Sequence, residues 1–388
     1  MNRLTDVLLS RPALAVLFTT IVAARALGQS VTFYGVGQLP GGAPNSQIRS
    51  AVVTSTGILA AGNAQQNPAG LGGDVAVIWT PTTGLQTLAS LNNVSIPAGN
   101  RLITVSQISA GNNLIAARIS TDSTGRSLLP ALYNPGGPLT AVLGIPEGYI
   151  WGGANGVSSD GKIVYGFDED STGNFQGFEW TVATGAVQLP PIAGYVSLLP
   201  VAAGCSSDGT IDLGTASTAA GGSVAYVFTT ASGTSLLPLA PGGTWSQAAG
   251  IDPSGTYMVG CGDTPANPNG EVLLWTGGTV TTLGVPAAEA ATGIDQNFAG
   301  VTRNGDVVVV AGALGSYINN AYGWFDLQTA LAAGGGNLAG WSVLSVLGMS
   351  GDGTLVFGSG NHGAGAEGFV AQVPAGFLKK YGKPAKTK

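Results

Sequence analysis

One acidic loop has the residue types and the spacing of a calcium site. Asp168, Asp170 and Thr172 place oxygen atoms at positions 1, 3 and 5, a glycine follows at position 6, and Glu179 falls at position 12. Calcium takes about six to eight oxygen ligands, which a tight turn of this kind can gather. Glu179, however, belongs to a predicted strand beside Trp180, and the helices of an EF-hand are missing. We therefore predict calcium at Asp168, Asp170 and Thr172, with a solvated acidic loop as the alternative, and expect no other cofactor.

Residues for catalysis are sparse. His362 is the single histidine, and serine elbows, zinc-protease helices and phosphate-cradling loops do not occur in the sequence. We predict that His362 is a solvated loop residue. Two carboxylates suffice for a glycosidase, but Asp160, Asp208 and Asp352 recur in equivalent turns, where an aspartate caps its own backbone. The sequence therefore predicts structural aspartates and no catalytic residue.

The two cysteines, Cys205 and Cys261, fall toward different ends of the strands in neighbouring repeats. A disulfide requires Cα atoms within about 7 Å of each other. We predict two buried thiols, and a disulfide formed after export is the alternative.

A repeat of roughly fifty residues, present in seven copies, positions all of these residues. Each copy contains a small polar residue, a turn that ends in glycine, an apolar run that ends in a second glycine, and an aromatic residue. The turn glycines are spaced by 46 to 54 residues and are Gly57, Gly111, Gly161, Gly209, Gly255, Gly305 and Gly353. The aromatics follow 19 to 22 residues later and are Trp79, Tyr133, Trp180, Phe228, Trp275 and Trp324. The seventh copy has Ala371 in place of the aromatic.

The repeat predicts four short strands per copy. Asp-Gly or Asn-Gly pairs predict type I′ hairpin turns between the first and second strands. The second strands are apolar at consecutive positions, so both of their faces must be buried, as in blades that stack around an axis. The fourth strands end in leucine, at Leu88, Leu143, Leu189, Leu237 and Leu283. We predict an all-β, seven-bladed β-propeller, with a seven-turn β-solenoid as the alternative.

The ends of the repeat region predict how the ring closes. Residues 32–39 precede the first copy without a blade of their own, and the seventh copy stops near residue 374 without a fourth strand. We expect the N-terminal strand to complete the last blade, which removes exposed sheet edges. The sixth copy is the least regular, and residues 326–333 are predicted to form a short helix.

The flanking segments point to export. Residues 1–28 combine Arg3 and Arg11 with an apolar run and small residues, which predicts a secretory signal peptide; an uncleaved anchor is the alternative. Residues 29–374 are predicted to form the propeller, and the lysine-rich residues 375–388 are predicted to be a basic disordered tail. No later segment is apolar over a membrane-spanning length. The net charge of -6 argues against a nucleic-acid partner, and we expect a monomer.

The closing repeat carries a family resemblance. Residues 340–344 (GWSVL), 349–353 (MSGDG) and 367–374 (EGFVAQVP) resemble the bacterial extracellular repeat proteins of the HAF family, and the similarity extends over residues 32–374. The His-Ala-Phe triplet of that family is degenerate in this chain, as at residues 75–77 (VAV) and 176–178 (QGF). The resemblance implies an exported protein without established enzymatic chemistry, and it supplies no catalytic residues.

Two functions follow from these observations. The favoured function is a secreted, non-enzymatic scaffold that binds protein or glycan partners at the cell surface or outside the cell, because loops on a rigid frame commonly bind partners. The alternative is a carbohydrate-active hydrolase or lyase that uses carboxylates at the propeller channel. Convergent carboxylates at the channel mouth would favour the enzyme, and a mouth lined by small apolar residues would favour the scaffold.

Overall fold

The computed structural model describes residues 30–384, apart from 67–73, 89–100, 121–127, 136–138, 144–148, 293 and 364. The predicted signal peptide, residues 1–28, lies outside the described residues. Within these ranges, no helix is both long enough and apolar enough to cross a membrane.

Seven four-stranded antiparallel sheets stand in a ring, which confirms the seven-bladed β-propeller. Blade 1 contains β2 (Ser46–Thr54), β3 (Gly57–Gln65), β4 (Asp74–Thr80) and β5 (Gly84–Thr87), and blade 2 contains β6 (Arg101–Ile108), β7 (Ile115–Ser120), β8 (Leu128–Tyr133) and β9 (Leu139–Val142). Blade 3 contains β10 (Tyr149–Val157), β11 (Ile163–Asp170), β12 (Phe175–Thr181) and β13 (Gly185–Gln188), and blade 4 contains β14 (Ser197–Cys205), β15 (Ile211–Ser217), β16 (Ser223–Thr229) and β17 (Gly233–Leu236).

The remaining blades follow the same order. Blade 5 contains β18 (Ser246–Ile251), β19 (Tyr257–Gly262), β20 (Glu271–Thr276) and β21 (Thr279–Gly284), and blade 6 contains β22 (Ile294–Val301), β23 (Val307–Gly312), β24 (Ser316–Asn320) and β25 (Gly323–Asp326). Blade 7 contains β26 (Trp341–Met349), β27 (Leu355–His362), β28 (Gly365–Gln372) and the N-terminal strand β1 (Thr32–Gly35). The first strand of each blade walls the central channel.

The N-terminal strand closes the ring as predicted. β1 pairs antiparallel with β28, from Thr32 opposite Gln372 to Gly35 opposite Phe369. The last blade is therefore built from both ends of the repeat region, and its outer edge is covered by a strand from the start of the chain.

The turns between first and second strands differ from the predicted type I′. In five blades the turn glycine N–H donates to the carbonyl of the residue three positions earlier, and only the glycine has a positive φ, as in Ser158 to Gly161 with φ 71° at Gly161. In blade 2, Asn113 rather than Gly111 takes the left-handed conformation, with φ 61°. The aspartate before the glycine is not left-handed because its carboxylate bonds to the following backbone, which stabilises a longer turn.

The second glycine of the repeat is required by a β-bulge in the first strand. At Gly62, Gly260 and Gly358, an added Cβ atom would lie 1.9, 2.0 and 2.1 Å from a backbone carbonyl oxygen of the neighbouring strand. In each of these blades the register shifts by one residue at this point. The bulge brings the two backbones too close for any side chain.

Five of the repeat aromatics are buried and Trp324 is partly buried, and three of the six bond to the preceding blade. Each of the three donates a side-chain hydrogen bond to a backbone carbonyl at the end of that blade's fourth strand. The pairs are Tyr133 Oη to Leu88 O (3.1 Å), Trp275 Nε1 to Pro238 O (2.8 Å) and Trp324 Nε1 to Leu283 O (2.9 Å). Trp324 lies in the fourth strand of blade 6 rather than the predicted third strand, yet it makes the equivalent bond.

The irregular sixth blade leads into the predicted helix. Helix α1 spans Leu327–Ala333, and the Asp326 carboxylate accepts a hydrogen bond from the Thr329 backbone N–H at its N-terminus. An N-terminal aspartate of this kind satisfies a backbone donor that the helix leaves free. The Leu327 and Leu331 side chains are buried in the core between blades 6 and 7.

The structure corrects the prediction of a disordered tail for residues 375–384. Helix α2 spans Phe377–Lys380, and the Phe377 and Leu378 side chains are buried in the same core. The Asn320 side-chain amide donates to the backbone oxygens of Leu378 and Tyr381. These two apolar side chains hold the otherwise basic segment against the core. Residues 385–388 lie outside the described part of the chain.

Candidate functional site

The hairpin turns between first and second strands form one end of the propeller, which we call the turn face. Neighbouring turns are joined by backbone hydrogen bonds around the channel mouth. These bonds run from Gly111 N to Ser159 O (2.9 Å), Ser159 N to Ser207 O (2.7 Å), Ser207 N to Pro253 O (2.8 Å) and Arg303 N to Gly351 O (2.7 Å). The rim is therefore a rigid frame rather than a set of independent loops.

A depression of about 790 Å³ lies inside this rim. All seven blades contribute to its wall, and most of the wall consists of small, apolar or hydroxyl residues, including Val53, Ala110, Ser159, Ala203 and Ile251. Ala203 has a φ of 58°, a conformation that L-residues other than glycine, asparagine and aspartate rarely adopt. Such strained positions cluster at functional sites.

The two carboxylates in the wall are both engaged. Lys379 Nζ lies 2.5 Å from Asp306 Oδ2, and Asp352 Oδ1 accepts hydrogen bonds from Ser350 Oγ and Thr354 N. Burial alone would raise both pKa values, but these hydrogen bonds outweigh it and lower the pKa of each aspartate below its ordinary value. Neither group is a raised-pKa acid of the kind that protonates a glycosidic oxygen.

The other turn aspartates are engaged in the same way. Asp160 Oδ1 accepts from Ser158 Oγ and from Lys162 N, and its pKa falls to about 2, mainly through hydrogen bonds from Lys162. Asp208 accepts from Ser206 and Thr210, and these bonds lower its pKa. The geometry agrees with the turn-capping role that the sequence predicts for Asp160, Asp208 and Asp352.

The predicted calcium loop lies at the opposite end of the propeller, between β11 and β12. Asp170 Oδ1 accepts hydrogen bonds from the Thr172 N and Oγ1 atoms and from Asn174 N, so Asp170 and Thr172 are brought together. Glu179 is not brought to the loop, because it pairs with Tyr165 further along the strand and accepts from the Tyr165 hydroxyl at 2.9 Å.

Asp168 is separated from this turn by burial. Its side chain is 0% exposed, neither carboxylate oxygen has a hydrogen-bond partner, and desolvation raises its pKa to about 7. The described residues contain no group of three or more His, Cys, Asp or Glu side chains that could hold a metal ion. Calcium at Asp168, Asp170 and Thr172 therefore stays a prediction.

His362 is the last residue of β27 rather than a loop residue. Its ring stacks on Trp341, and its Nδ1 atom lies 2.6 Å from Glu367 Oε2. The other oxygen of Glu367 accepts a hydrogen bond from the Gly37 backbone N–H at 2.9 Å. The histidine is thus a packing element beside the strand that closes the ring.

The cysteines lie where the sequence predicts. Cys205 and Cys261 are both buried and no disulfide joins them. Burial, together with the negative charge of Asp212, raises the pKa of the Cys205 thiol well above its ordinary value. A thiol of this kind is chemically inert.

Two arginines that the sequence analysis did not single out lie in the first two blades. Arg49 is in β2 and Arg118 is in β7, and both are partly buried. A signal was present, because the positions equivalent to Arg49 in two other blades carry Ala249 and Leu347. A charged residue within an apolar strand of a repeat is unusual and could have marked the channel.

Comparison with known proteins yields a fold and no family. No family model and no curated protein matches the sequence. Among solved structures, the chain is similar to an oligogalacturonate lyase from Vibrio parahaemolyticus, with 10% identity and a TM-score of 0.55, over 90% of this chain and 98% of that chain.

Two further solved structures are similar to this chain. A prolyl endopeptidase matches at 12% identity and a TM-score of 0.53, over 94% of this chain and 56% of that chain. TolB from Acinetobacter baumannii matches at 14% identity and a TM-score of 0.44, over 81% of this chain and 64% of that chain. The chain thus spans less than two thirds of either protein. At such low identities the likeness to the lyase and the endopeptidase shows the propeller fold alone.

Proposed function

We propose that this protein is a secreted, non-enzymatic β-propeller scaffold that binds a protein or glycan partner at the cell surface or outside the cell. The observation that carries the proposal is the turn-face depression. Its rim is fixed by backbone hydrogen bonds, its wall is largely small and apolar, and its two carboxylates are engaged by Lys379 and by turn residues. Rigid concave surfaces of this kind favour recognition, because little ordering entropy is lost on binding.

The resemblance to the HAF family supports the same proposal, since it implies an exported protein without known chemistry. The signal peptide, secretion and membership of that family remain parts of the proposal. The alternative, a carbohydrate-active hydrolase or lyase, has oligogalacturonate lyase as a fold neighbour. The hydrolase requires a pair of available carboxylates, whereas Asp306 and Asp352 are both bonded.

The proposal is tested with the protein from residue 29 onward. We would screen it against a glycan array, a panel of extracellular protein fragments, and glycosidase and lyase substrates, each with and without calcium. Binding without turnover supports the scaffold. Turnover of any substrate by the purified protein overturns the non-enzymatic function and selects the hydrolase or lyase.

A pair of variants locates the binding site. Val53 lines the depression and is 56% exposed, so Val53→Arg adds a charge there with little effect on the core. Val182 is 86% exposed at the periphery of the same face, in the turn between β12 and β13. We expect Val53→Arg to weaken binding at least about tenfold and Val182→Arg to leave it unchanged. Equal affinities for both variants would exclude the depression as the site.

A further inference from the structure

The first strands of five blades have a β-bulge at the same level of the channel. The bulge residues are Arg49, Ser106, Asn155, Ala249 and Leu347. A bulge re-aims the side chain of the extra residue and frees it from the ladder. Because the first strands wall the channel, this level is where side chains of different blades can meet. In blade 1 the residue is an arginine.

A second arginine reaches the same wall from the neighbouring blade. Arg118 lies in the second strand of blade 2, and its Nη2 atom donates to Asn155 Oδ1 over 3.0 Å. Its guanidinium stacks over the Phe167 ring, 4.9 Å from the ring centre. Asn155 in turn donates to the Pro200 carbonyl over 2.7 Å, which fixes the orientation of its amide. Arg118 is therefore held in place by the first strand of blade 3.

The two arginines have unmet hydrogen-bonding capacity. The Nε atoms of Arg49 and Arg118 are buried and have no acceptor. The ion pairs found among the described residues are those of Lys162, His362 and Lys379. Within this part of the chain, neither Arg49 nor Arg118 has a carboxylate within 4 Å. A buried guanidinium normally has a carboxylate or a similar partner.

Electrostatics indicate that the two cations are neighbours. Burial, and after it the positive charge of Arg49, lowers the pKa of Arg118 to about 10. Burial also lowers the pKa of Arg49, an effect that Asp74 opposes from a distance beyond an ion pair. Two like charges held close together in a partly dry channel cost free energy unless an anion lies between them.

We propose that the channel contains an anion-binding site formed by Arg49 and Arg118 at the level of the bulge residues, and that its ligand is a carboxylate. The Nη–H groups of two guanidiniums can donate to the two oxygens of one carboxylate, and the Phe167 and Asn155 contacts hold Arg118 ready for such a bond. Because the protein carries a net charge of -6, it repels polyanions more strongly than it repels a ligand with a single carboxylate. This site is distinct from the turn-face depression, whose wall includes neither arginine.

The test measures binding by calorimetry at low ionic strength, with the protein from residue 29 onward. The probes are acetate, malonate, glucuronate and a glucuronate-containing oligosaccharide, with inorganic phosphate and sulfate for comparison. We expect saturable binding of at least one carboxylate and a rise in Tm with its concentration. Tighter binding of glucuronate or its oligosaccharide than of malonate would assign the carboxylate to an acidic glycan, and the reverse order to a small free acid.

Variants connect the binding to the two arginines. Arg49→Gln removes one charge, and Arg118→Lys keeps the charge but removes the guanidinium fork; each should weaken binding at least about tenfold. Lys383→Gln, which removes one positive charge at an exposed position in the C-terminal segment and outside the depression, is the matched control and should bind as the unaltered protein does. Circular dichroism and Tm establish that each variant is folded, and Arg49→Gln serves alone if Arg118→Lys does not fold.

Three results would overturn the proposal. They are the absence of saturable carboxylate binding up to about 10 mM, phosphate or sulfate binding at least tenfold tighter than every carboxylate, and carboxylate binding that Arg49→Gln leaves unchanged. The scaffold function is tested separately, because Val53→Arg alters the depression and not this site.

Discussion

The His362 ring lies face to face on the Trp341 indole, with ring centres 4.7 Å apart and planes inclined by 6°. Trp341 is the first residue of β26 and His362 is the last residue of β27, so the stack joins the two strands of blade 7 at this end. Phe33 of β1 packs edge-on against the same indole, at 5.1 Å. The single histidine therefore takes part in closing the ring.

Replacing His362 should weaken this closure. His362→Ala removes the stack and the contact with Glu367, and we expect the free energy of unfolding to fall by about 1–2 kcal/mol. His362→Phe keeps the stack and loses only the hydrogen bond, so its loss should be smaller. Urea denaturation measures both, with Lys162→Ala, an exposed ion-pair residue, as the control that should show no measurable loss. A His362→Ala variant as stable as this control would contradict the structural role.

Asp168 should make stability fall as pH rises. Its pKa of about 7 in the fold lies above the ordinary 3.8, so between these values the unfolded chain releases a proton that the folded chain retains. The resulting loss of folding stability grows from about pH 4 and levels off above pH 7. It amounts to a few kcal/mol, at about 1.4 kcal/mol per pKa unit. Asp168→Asn should remove this pH dependence and be the more stable form at pH 8.

Two comparisons sharpen the test of Asp168. The pKa of Asp170 is lowered by hydrogen bonds from Thr172 and Asn174, so its contribution to folding stability is lost as pH falls. Asp170→Asn should therefore destabilise the fold most above pH 4. Calcium bound to an ionised Asp168 would stabilise the protein at pH 8. Unfolding curves from pH 4 to 8, with and without calcium, distinguish these cases; equal slopes for Asp168→Asn and the unaltered protein would show that Asp168 is ionised throughout.

The bulge in the first strand should make the second repeat glycine irreplaceable. In Gly260→Ala the new Cβ atom would lie 2.0 Å from the Gln247 backbone oxygen, which cannot move without disrupting the bulge. We expect a loss of at least about 2 kcal/mol or failure to fold. Gly222→Ala is the control, because this exposed glycine meets only a threonine hydroxyl at 3.3 Å. Similar Tm values for the two variants would disprove the steric explanation.

The C-terminal segment should contribute to stability up to residue 384. A chain that ends at residue 374 loses the buried Phe377 and Leu378 side chains and leaves the Asn320 amide without its carbonyl partners. Each side chain is worth about 1.5–3 kcal/mol, so we expect a loss of at least about 3 kcal/mol. A chain that ends at residue 384 should match the full chain in thermal unfolding. Equal Tm values for both truncations would restore the prediction of a disordered tail.

The sequence by itself determined the architecture. Turn glycines and aromatics at nearly constant spacing predict the number of blades, because each blade needs one tight turn and one large side chain between neighbouring sheets. The unpaired N-terminal strand predicts the closure, since a ring of blades leaves no other place for it. The helix after Asp326 was also predictable, because its capping residue and apolar positions are local in the chain.

Only the tertiary structure decided which side chains meet. Arg118 and Asn155 are 37 positions apart and His362 stacks on a tryptophan that begins another strand, so neither contact has a local signature. The predicted calcium ligands show the same limit. Asp168 and Asp170 are two residues apart, yet one is buried in the blade and the other caps an exposed turn, because burial depends on how the blades pack. Local spacing fixes turns and strands, whereas the environment of a charged group is set by residues distant in sequence.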